Sequence, residues 1–149
     1  MSAALSLASE DDLVRLIPMV SAYHAFEDIE QSDDDRRAAL APLLAGSPHG
    51  AIWLIGPRRA PVGYIAVSFG WSIELGGMDG FLDEFFIREG VRGRGVGSEA
   101  LAALIPQLAQ AGMVGLSLEV APDNARALKL YERRGFCLRD GLHQMTWRA

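Results

Sequence analysis

The chain is poor in the residues that would commit it to several common chemistries. One cysteine, Cys137, stands alone in 149 residues, so no internal disulfide can form, and this suits a reducing compartment. It also has no partner residue that would mark it as a nucleophile, and no acyl-enzyme is expected. The three histidines, His24, His49 and His143, are too scattered for metal-ligand spacing, so no metal is expected. Basic charge is in deficit: 14 Lys and Arg against 19 Asp and Glu give a net charge of −5, which argues against a nucleic-acid partner. Half the residues are hydrophobic, yet no apolar run approaches the ~18 residues of a membrane span. The opening Met1-Ser2-Ala3-Ala4-Leu5-Ser6 lacks a basic stretch and a long apolar core, so no secretory leader is expected and a cytoplasmic location is inferred. No repeat, linker or low-complexity tract divides the sequence. A single domain over residues 1–149 is the expectation, long enough to bury ~70% of the surface of its unfolded chain.

What is present reads as alternating strands and helices. Ala4–Ala8 predicts a short strand. Ser9-Glu10-Asp11-Asp12 is a capping box with acids in the first turn of a helix. Leu13, Leu16, Ile17, Val20 and His24 then recur at helical spacing and should face the core, with Pro18 inside that helix. A second helix is expected over Asp33–Ala45, ended by Gly46-Ser47-Pro48. Strands follow at Ala51–Ile55, Val62–Ile73 and Phe81–Ile87, with Gly76-Gly77 and Asp79-Gly80 as the hairpin turn between the last two. Beyond them come a helix to about Ala111, a strand Val114–Val120, a helix Asn124–Arg134 and a final strand Phe136–Trp147.

The most specific feature is the join between Phe81-Leu82-Asp83-Glu84-Phe85-Phe86-Ile87 and Arg92-Gly93-Arg94-Gly95-Val96-Gly97-Ser98. An apolar strand runs into a loop of alternating glycines that opens directly into an Ala/Leu-rich helix. Glycines leave backbone N–H groups uncovered at the positive end of a helix, and two arginines lie among them, which suits a polyphosphate. The loop lacks the Gly-Lys-Ser/Thr ending of a mononucleotide P-loop, so nucleotide hydrolysis is not expected. Counted from Gly93, Ser98 stands where a dinucleotide fingerprint needs its third glycine.

The spacing R-G-x-G-x-G resembles the pyrophosphate loop of the GNAT superfamily, the acetyl-CoA-dependent N-acetyltransferases. A second segment strengthens the resemblance. Leu118-Glu119-Val120-Ala121-Pro122-Asp123-Asn124 leads into Ala125–Phe136, which fills the family pattern N-x-x-A-x-x-L-Y, then Gly-Phe, with Asn124, Ala127, Leu130, Tyr131, Gly135 and Phe136. The match covers roughly residues 62–147. Ile87-Arg88-Glu89-Gly90-Val91 departs from the family's usual V-x-P-x-Y lead-in by lacking the proline, although the residue count is kept.

The resemblance implies an α/β fold, the GNAT fold, with a mixed central β-sheet flanked by about four helices. It implies an N-acetyltransferase moving the acetyl group of acetyl-CoA directly to a primary amine in a ternary complex. The cofactor set it implies is the backbone of Phe85, Phe86 and Ile87 for the pantetheine arm and thioester, Arg92, Gly93, Arg94, Gly95, Val96, Gly97 and Ser98 for the pyrophosphate, and Asn124 and Tyr131. Tyr131 matches the tyrosine placed near the CoA sulfur, and a phenol of ordinary pKa ~10 is protonated and able to donate to a departing thiolate. Asn124 also suits a helix cap. The amine's proton falls to Asp83 or Glu84, which strand alternation puts on opposite faces. Asp83 is preferred, since it matches an acid proposed to act through water, and shared parity groups it with Phe81 and Phe85.

Glu27, in an acidic run with Asp28, Glu30, Asp33, Asp34 and Asp35 at the junction of the first two helices, and Glu74 and Asp79, near a strand end at the hairpin, are candidate contacts for the acceptor. A solvated acidic loop with N-terminal helix acids is the usual explanation of such a run, and Glu74 and Asp79 equally suit the hairpin turn. Arg126, Lys129, Arg133 and Arg134 read as a charged helix face. Acceptor identity stays open: a small cationic or amino-acid-like amine, or a protein lysine or N-terminus. A non-catalytic acyl-CoA-binding module and a homodimer also stay open.

Overall fold

The computed structural model describes residues 4–149, and the reading of the first three residues lies outside them. The chain divides into two compact units, the first reaching to Glu119 and the second comprising Val120–Ala149.

The first unit is built on one five-stranded sheet. Its strands are β1 (Leu5–Leu7), β2 (Gly50–Ile55), β3 (Gly63–Ser72), β4 (Gly77–Ile87) and β5 (Met113–Ser117), in the order β1-β2-β3-β4-β5. The first four pair antiparallel and β5 lies parallel to β4, so the sheet is mixed. The helices are α1 (Leu13–Phe26), α2 (Asp33–Leu44) and α3 (Val96–Gln110). The parallel β4–β5 pair requires a crossover, and α3 supplies it.

The helical pattern of the first segment survives intact. Leu16, Ile17, Val20 and His24 are buried, and Leu13 packs at the margin of the same cluster. That cluster joins α1 and α2 to Ile52, Leu54, Tyr64, Ala66 and Phe86 on one face of the sheet. On α3, Ala100, Leu101, Leu104 and Leu108 form the buried stripe. Truncating Leu16, which has no exposed surface, falls in the class of core deletions that costs ~2–5 kcal/mol.

The capping box is a larger device than the sequence suggested. Glu10–Asp12 forms a single 3-10 turn before α1, and the Ser9 N–H donates to Asp12 Oδ2 at 2.9 Å. Asp12 is fully buried and takes Arg58 Nη2 at 2.7 Å and Arg15 Nη1 at 3.1 Å. Loss of hydration pushes its carboxyl upward, but the Ser9 and Arg58 hydrogen bonds and the charges of Arg58 and Arg15 outweigh that and hold it below the usual carboxylate range. Because the folded-state value is depressed, the stabilisation is complete above the unfolded value of ~4 and is lost as pH falls through the folded one. Asp12→Ala should cost about 2–3 kcal/mol in urea denaturation, below a wholly buried pair because Arg58 is 48% exposed. The deficit should shrink in acid.

Two strand readings change. Asp79 and Gly80 do not form a turn; they pair with Gly70 and Phe69 within the β3–β4 ladder. The reversal falls instead between Ser72 and Gly77, where Gly76 takes φ +75° and the Leu75 N–H donates to Ser72 Oγ at 3.0 Å. A side chain at Gly80 would press on Met113 of β5 and Val67 of β3, so this glycine serves close strand packing. The expected strand Val114–Val120 is the shorter Met113–Ser117.

The second unit contains α4 (Ala125–Arg133). Asn124 caps it as expected, its Oδ1 accepting the Ala127 N–H at 3.2 Å. Gly135, at φ +94°, ends the helix, the Phe136 N–H donates to the Tyr131 carbonyl at 3.0 Å, and the two rings meet edge-on with centroids 5.6 Å apart. The final strand expected at Phe136–Trp147 does not form: residues 136–149 carry no strand. Alternation of apolar residues records a readiness to pair, whereas a β-ladder needs a partner that the segment itself cannot specify. Among the described residues the chain thus holds a five-stranded mixed sheet and four α-helices, an open α/β arrangement.

Candidate active site

The site follows from where β4 and β5 part. On one side β4 stays paired with β3 as far as Ile87, which lies opposite Gly63. On the other side its last partner in β5 is Ser117, opposite Phe81. From Leu82 to Ile87 the β5-facing edge of β4 therefore has no strand partner among the described residues, and its backbone polar groups on that side make no ladder bonds. A cleft of about 330 Å³ lies at this divergence, with Ser68, Gly70, Asp79, Phe81 and Ser117 among its walls.

Beyond β4, a 3-10 turn at Glu89–Val91 leads into the glycine loop. Gly93 and Gly95 both take left-handed conformations, φ +80° and +78°, which an L side chain adopts only with strain. Gly95 is the N-cap of α3, and no side chain caps that end. The first-turn N–H groups of Val96, Gly97 and Ser98 have no intrahelical acceptor by helix geometry, and a Cβ at Gly95 would meet nothing within 4 Å. An uncovered, open helix start of this kind suits a diphosphate.

Arg92 holds the loop from below. Its Nε donates to the Ile87 carbonyl at 2.7 Å, and its guanidinium lies 5.4 Å from the centre of the Phe26 ring and 5.7 Å from that of Phe86. Arg94 is exposed in the loop.

The register of β3 and β4 shifts at the two carboxylates. Val67 pairs with Leu82 and Ala66 with Glu84, so Asp83 is an extra residue, a β-bulge. The bulge cancels strict alternation. Phe81 and Phe85 pair with Ser68 and Ile65, so they lie on opposite faces, and the shared parity expected of Asp83, Phe81 and Phe85 does not hold. Glu84, opposite Ala66, turns to the face covered by α1 and α2.

There Glu84 is gripped at both oxygens. Oε1 accepts the Tyr64 hydroxyl at 2.7 Å, and Oε2 lies 2.8 Å from His24 Nε2. Tyr64 is wholly buried, and its phenol is pushed upward by lost hydration and by the Glu84 charge, so it remains a donor. Asp83 differs. No hydrogen bond engages its carboxyl among the described residues, and its side chain reaches solvent. Its carboxyl is nonetheless raised, first by lost hydration, then by the charges of Glu84 and Glu119, with His24 opposing. Two adjacent acids in different environments are a recurrent arrangement at proton-transfer sites.

Comparison with known proteins decides what this geometry belongs to. A family profile described as "Acetyltransferase (GNAT) family" matches residues 15–136. The chain belongs to the acetyltransferase (GNAT) family, a family of acyltransferases. An uncharacterized N-acetyltransferase, YycN, of Bacillus subtilis (strain 168) is 41% identical over 98 residues, 65% of this chain and 62% of that protein, so the match spans less than two thirds of the relative. Among solved structures, the integron cassette protein HFX_CASS3 from the mobile metagenome of Cole Harbour Salt Marsh superposes with TM-score 0.84 at 29% identity, covering 97% of this chain and 90% of that one. The structure of a "putative acetyltransferase" from Arthrobacter sp. FB24 gives TM-score 0.78 at 26% identity, covering 98% of this chain and 94% of that one.

Within this GNAT chain the residues singled out from the sequence fall in several places. The first unit brings together Asp83, Glu84 and the β4 edge of Phe85, Phe86 and Ile87, followed by the loop from Arg92 to Ser98. Asp79 lines the cleft, Glu27 sits at the C-terminal end of α1, and Glu74 lies exposed in the β3–β4 turn. No hydrogen bond or ion pair among the described residues links these three acids. Asn124 caps α4 of the second unit and Tyr131 lies within that helix.

Sequence reasoning missed Tyr64, Arg36 and Glu119 and gave His24 only a core position. A tyrosine in an apolar strand and an arginine in an acidic helix carry no local signal that one will meet Glu84 and the other His24. Among the described residues no group of three metal-capable side chains gathers, and no helix is long and apolar enough to cross a membrane.

Proposed function

We propose that the chain acts as one N-acetyltransferase domain, transferring the acetyl group of acetyl-CoA directly to a primary amine, with a small cationic or amino-acid-like molecule as the acceptor. The observation that carries this reading is the conjunction of the parted β4–β5 edge with the open glycine start of α3. Extended backbone to pair with a pantetheine arm runs straight into uncovered N–H groups suited to a pyrophosphate. Family membership supports acetyl-CoA as the donor.

The roles divide by chemistry. N–H groups of Phe85, Phe86 and Ile87 would polarise the thioester carbonyl. Gly93, Gly95, Val96, Gly97 and Ser98 would receive the diphosphate through backbone donors, with Arg94 adding charge. Arg92 would shape the loop from its place over Phe26 and Phe86. Asp83, raised in proton affinity and open to solvent, would take the amine's proton, directly or through water. Glu84, fixed at both oxygens, would stand as an anion toward the incoming ammonium. The charges of Asp83, Glu84 and Glu119 support a cationic acceptor.

Tyr131 would protonate the departing thiolate, with Asn124 holding the start of its helix. Tyr131→Phe should lower kcat about 10²-fold and leave acetyl-CoA affinity nearly unchanged. Steady-state kinetics beside calorimetric titration separates the two effects, and an unaltered kcat removes Tyr131 as the acid. The donor assignment is tested by titrating CoA into the full chain. Saturable binding that weakens with added inorganic pyrophosphate supports it, and no heat of binding refutes it.

A further inference from the structure

Behind Glu84 runs a chain of contacts with a fixed direction. Arg36 Nε lies 3.1 Å from His24 Nδ1, and Arg36 Nη1 lies 2.8 Å from Asp33 Oδ1. His24 Nε2 in turn lies 2.8 Å from Glu84 Oε2. His24 is 4% exposed and Arg36 9%, so the contact between them is shielded from bulk water. A guanidinium offers only donors and keeps its protons in proteins. Nδ1 of His24 must therefore present its lone pair to Arg36, and the ring proton resides on Nε2, donated to Glu84.

We propose that Arg36 is a positioning residue of the acceptor site: it locks His24 in the Nε2–H tautomer, and that tautomer fixes the Glu84 carboxylate. The proposal rests on the reading of the chain as an amine acetyltransferase. The groups around the imidazole agree with it. Asp33 and Arg36 approach from α2, Glu84 and Asp83 from β4, Tyr64 lies on β3 with its hydroxyl on the other Glu84 oxygen, and the Tyr23 ring of α1 lies 6.1 Å away.

A consequence for proton flow follows. His24 already carries hydrogen at the nitrogen facing Glu84, and its other nitrogen is blocked by a donor. It cannot pass a proton inward from the acceptor. His24 is thereby removed from the proton's exit route and works by direction alone, which is consistent with Asp83, the solvent-exposed carboxylate, as the proton's way out.

The test has one readout independent of turnover. Long-range 1H–15N spectra of the full chain, with His24 assigned from a His24→Gln spectrum, should show the Nε2–H tautomer. Arg36→Gln supplies a carbonyl that can accept from Nδ1–H, so the tautomer should shift, and kcat/KM for the amine should fall about 10-fold while KM for acetyl-CoA holds. Arg36→Lys, again a donor without an acceptor, should keep the Nε2–H tautomer and restore most of the rate. An Nδ1–H tautomer or an imidazolium in the wild-type chain overturns the proposal, even if Arg36→Gln fails to fold. So does a tautomer shift in Arg36→Gln without a kinetic change. A wild-type chain that binds CoA but acetylates no amine overturns the functional reading and the positioning role with it, whereas the tautomer alone reports the Arg36 contact.

Discussion

Gly95→Asp should abolish measurable CoA binding, lowering affinity by at least about 10³-fold, while the fold persists. Two effects combine. Gly95 holds φ +78° at the N-cap of α3, where any L residue pays ~1–2 kcal/mol of strain. A carboxylate there would also face the diphosphate and compete for the first-turn N–H groups that should bind it. A clash inside the protein is not the cause, because nothing lies within 4 Å of the added Cβ. Gly95→Ala separates the terms: it keeps the strain without the charge and should lose only about 10-fold in affinity. Calorimetric titration of both variants, with thermal melts as the folding control, checks the expectation. Near-native affinity in Gly95→Asp removes the phosphate role of the loop.

Asp83→Asn should lower kcat/KM for the amine by about 10²–10³-fold at neutral pH. The wild-type rate should fall as the medium is made acidic, with a limb displaced upward from the ordinary aspartate value, because the Asp83 carboxyl is raised by lost hydration and by Glu84 and Glu119. Asp83→Asn should erase that limb. Glu84→Gln should move it to lower pH, since removing a neighbouring negative charge lowers the proton affinity of Asp83. Stability should change in the opposite sense to activity. A carboxyl whose folded-state value is raised contributes stability only while protonated, and that contribution disappears as pH rises through the folded value. Above the folded value the charged Asp83 is a cost, so Asp83→Asn should there melt no lower than wild type. An inactive variant of undiminished stability identifies a functional group. Unchanged limbs in both variants would take the proton from neither carboxylate.

Much of this was legible in the chain because it is local. The spacing of Leu16, Ile17, Val20 and His24 defines a buried helix face whatever it packs against, and Gly93 and Gly95 demand left-handed backbone wherever the loop lies. Asn124 followed by Ala127 is a cap within four residues. The pairing of Asp83 and Glu84 was less legible. Alternation assumes an unbroken ladder, and nothing in Phe81-Leu82-Asp83-Glu84 shows that β3 skips a residue between Ala66 and Val67. The bulge follows from how two strands fit, so it separates Phe81 from Phe85 and gives Asp83 a place of its own.

The Glu84 network was hidden for the same reason. His24 and Glu84 are 60 residues apart, and Tyr64 and Glu84 are 20 apart. Each residue alone reads as ordinary: a core histidine, a strand tyrosine, an arginine balancing helix acids. Only packing of α1 and α2 on the β3–β4 hairpin brings His24 and Tyr64 onto one carboxylate and Arg36 onto His24. The expected strand Phe136–Trp147 shows the converse. Its alternation was visible, but alternation does not supply a neighbour to pair with.

The most direct test of the central claim is thiol release from acetyl-CoA by the full chain in the presence of amines: polyamines, free amino acids, aminoglycosides and lysine-containing peptides in parallel. Amine-dependent release with one small cationic class, accompanied by mass spectrometric detection of the N-acetyl product, is the predicted result. Thiol release that is indifferent to every amine, with no acetylated product, would contradict it.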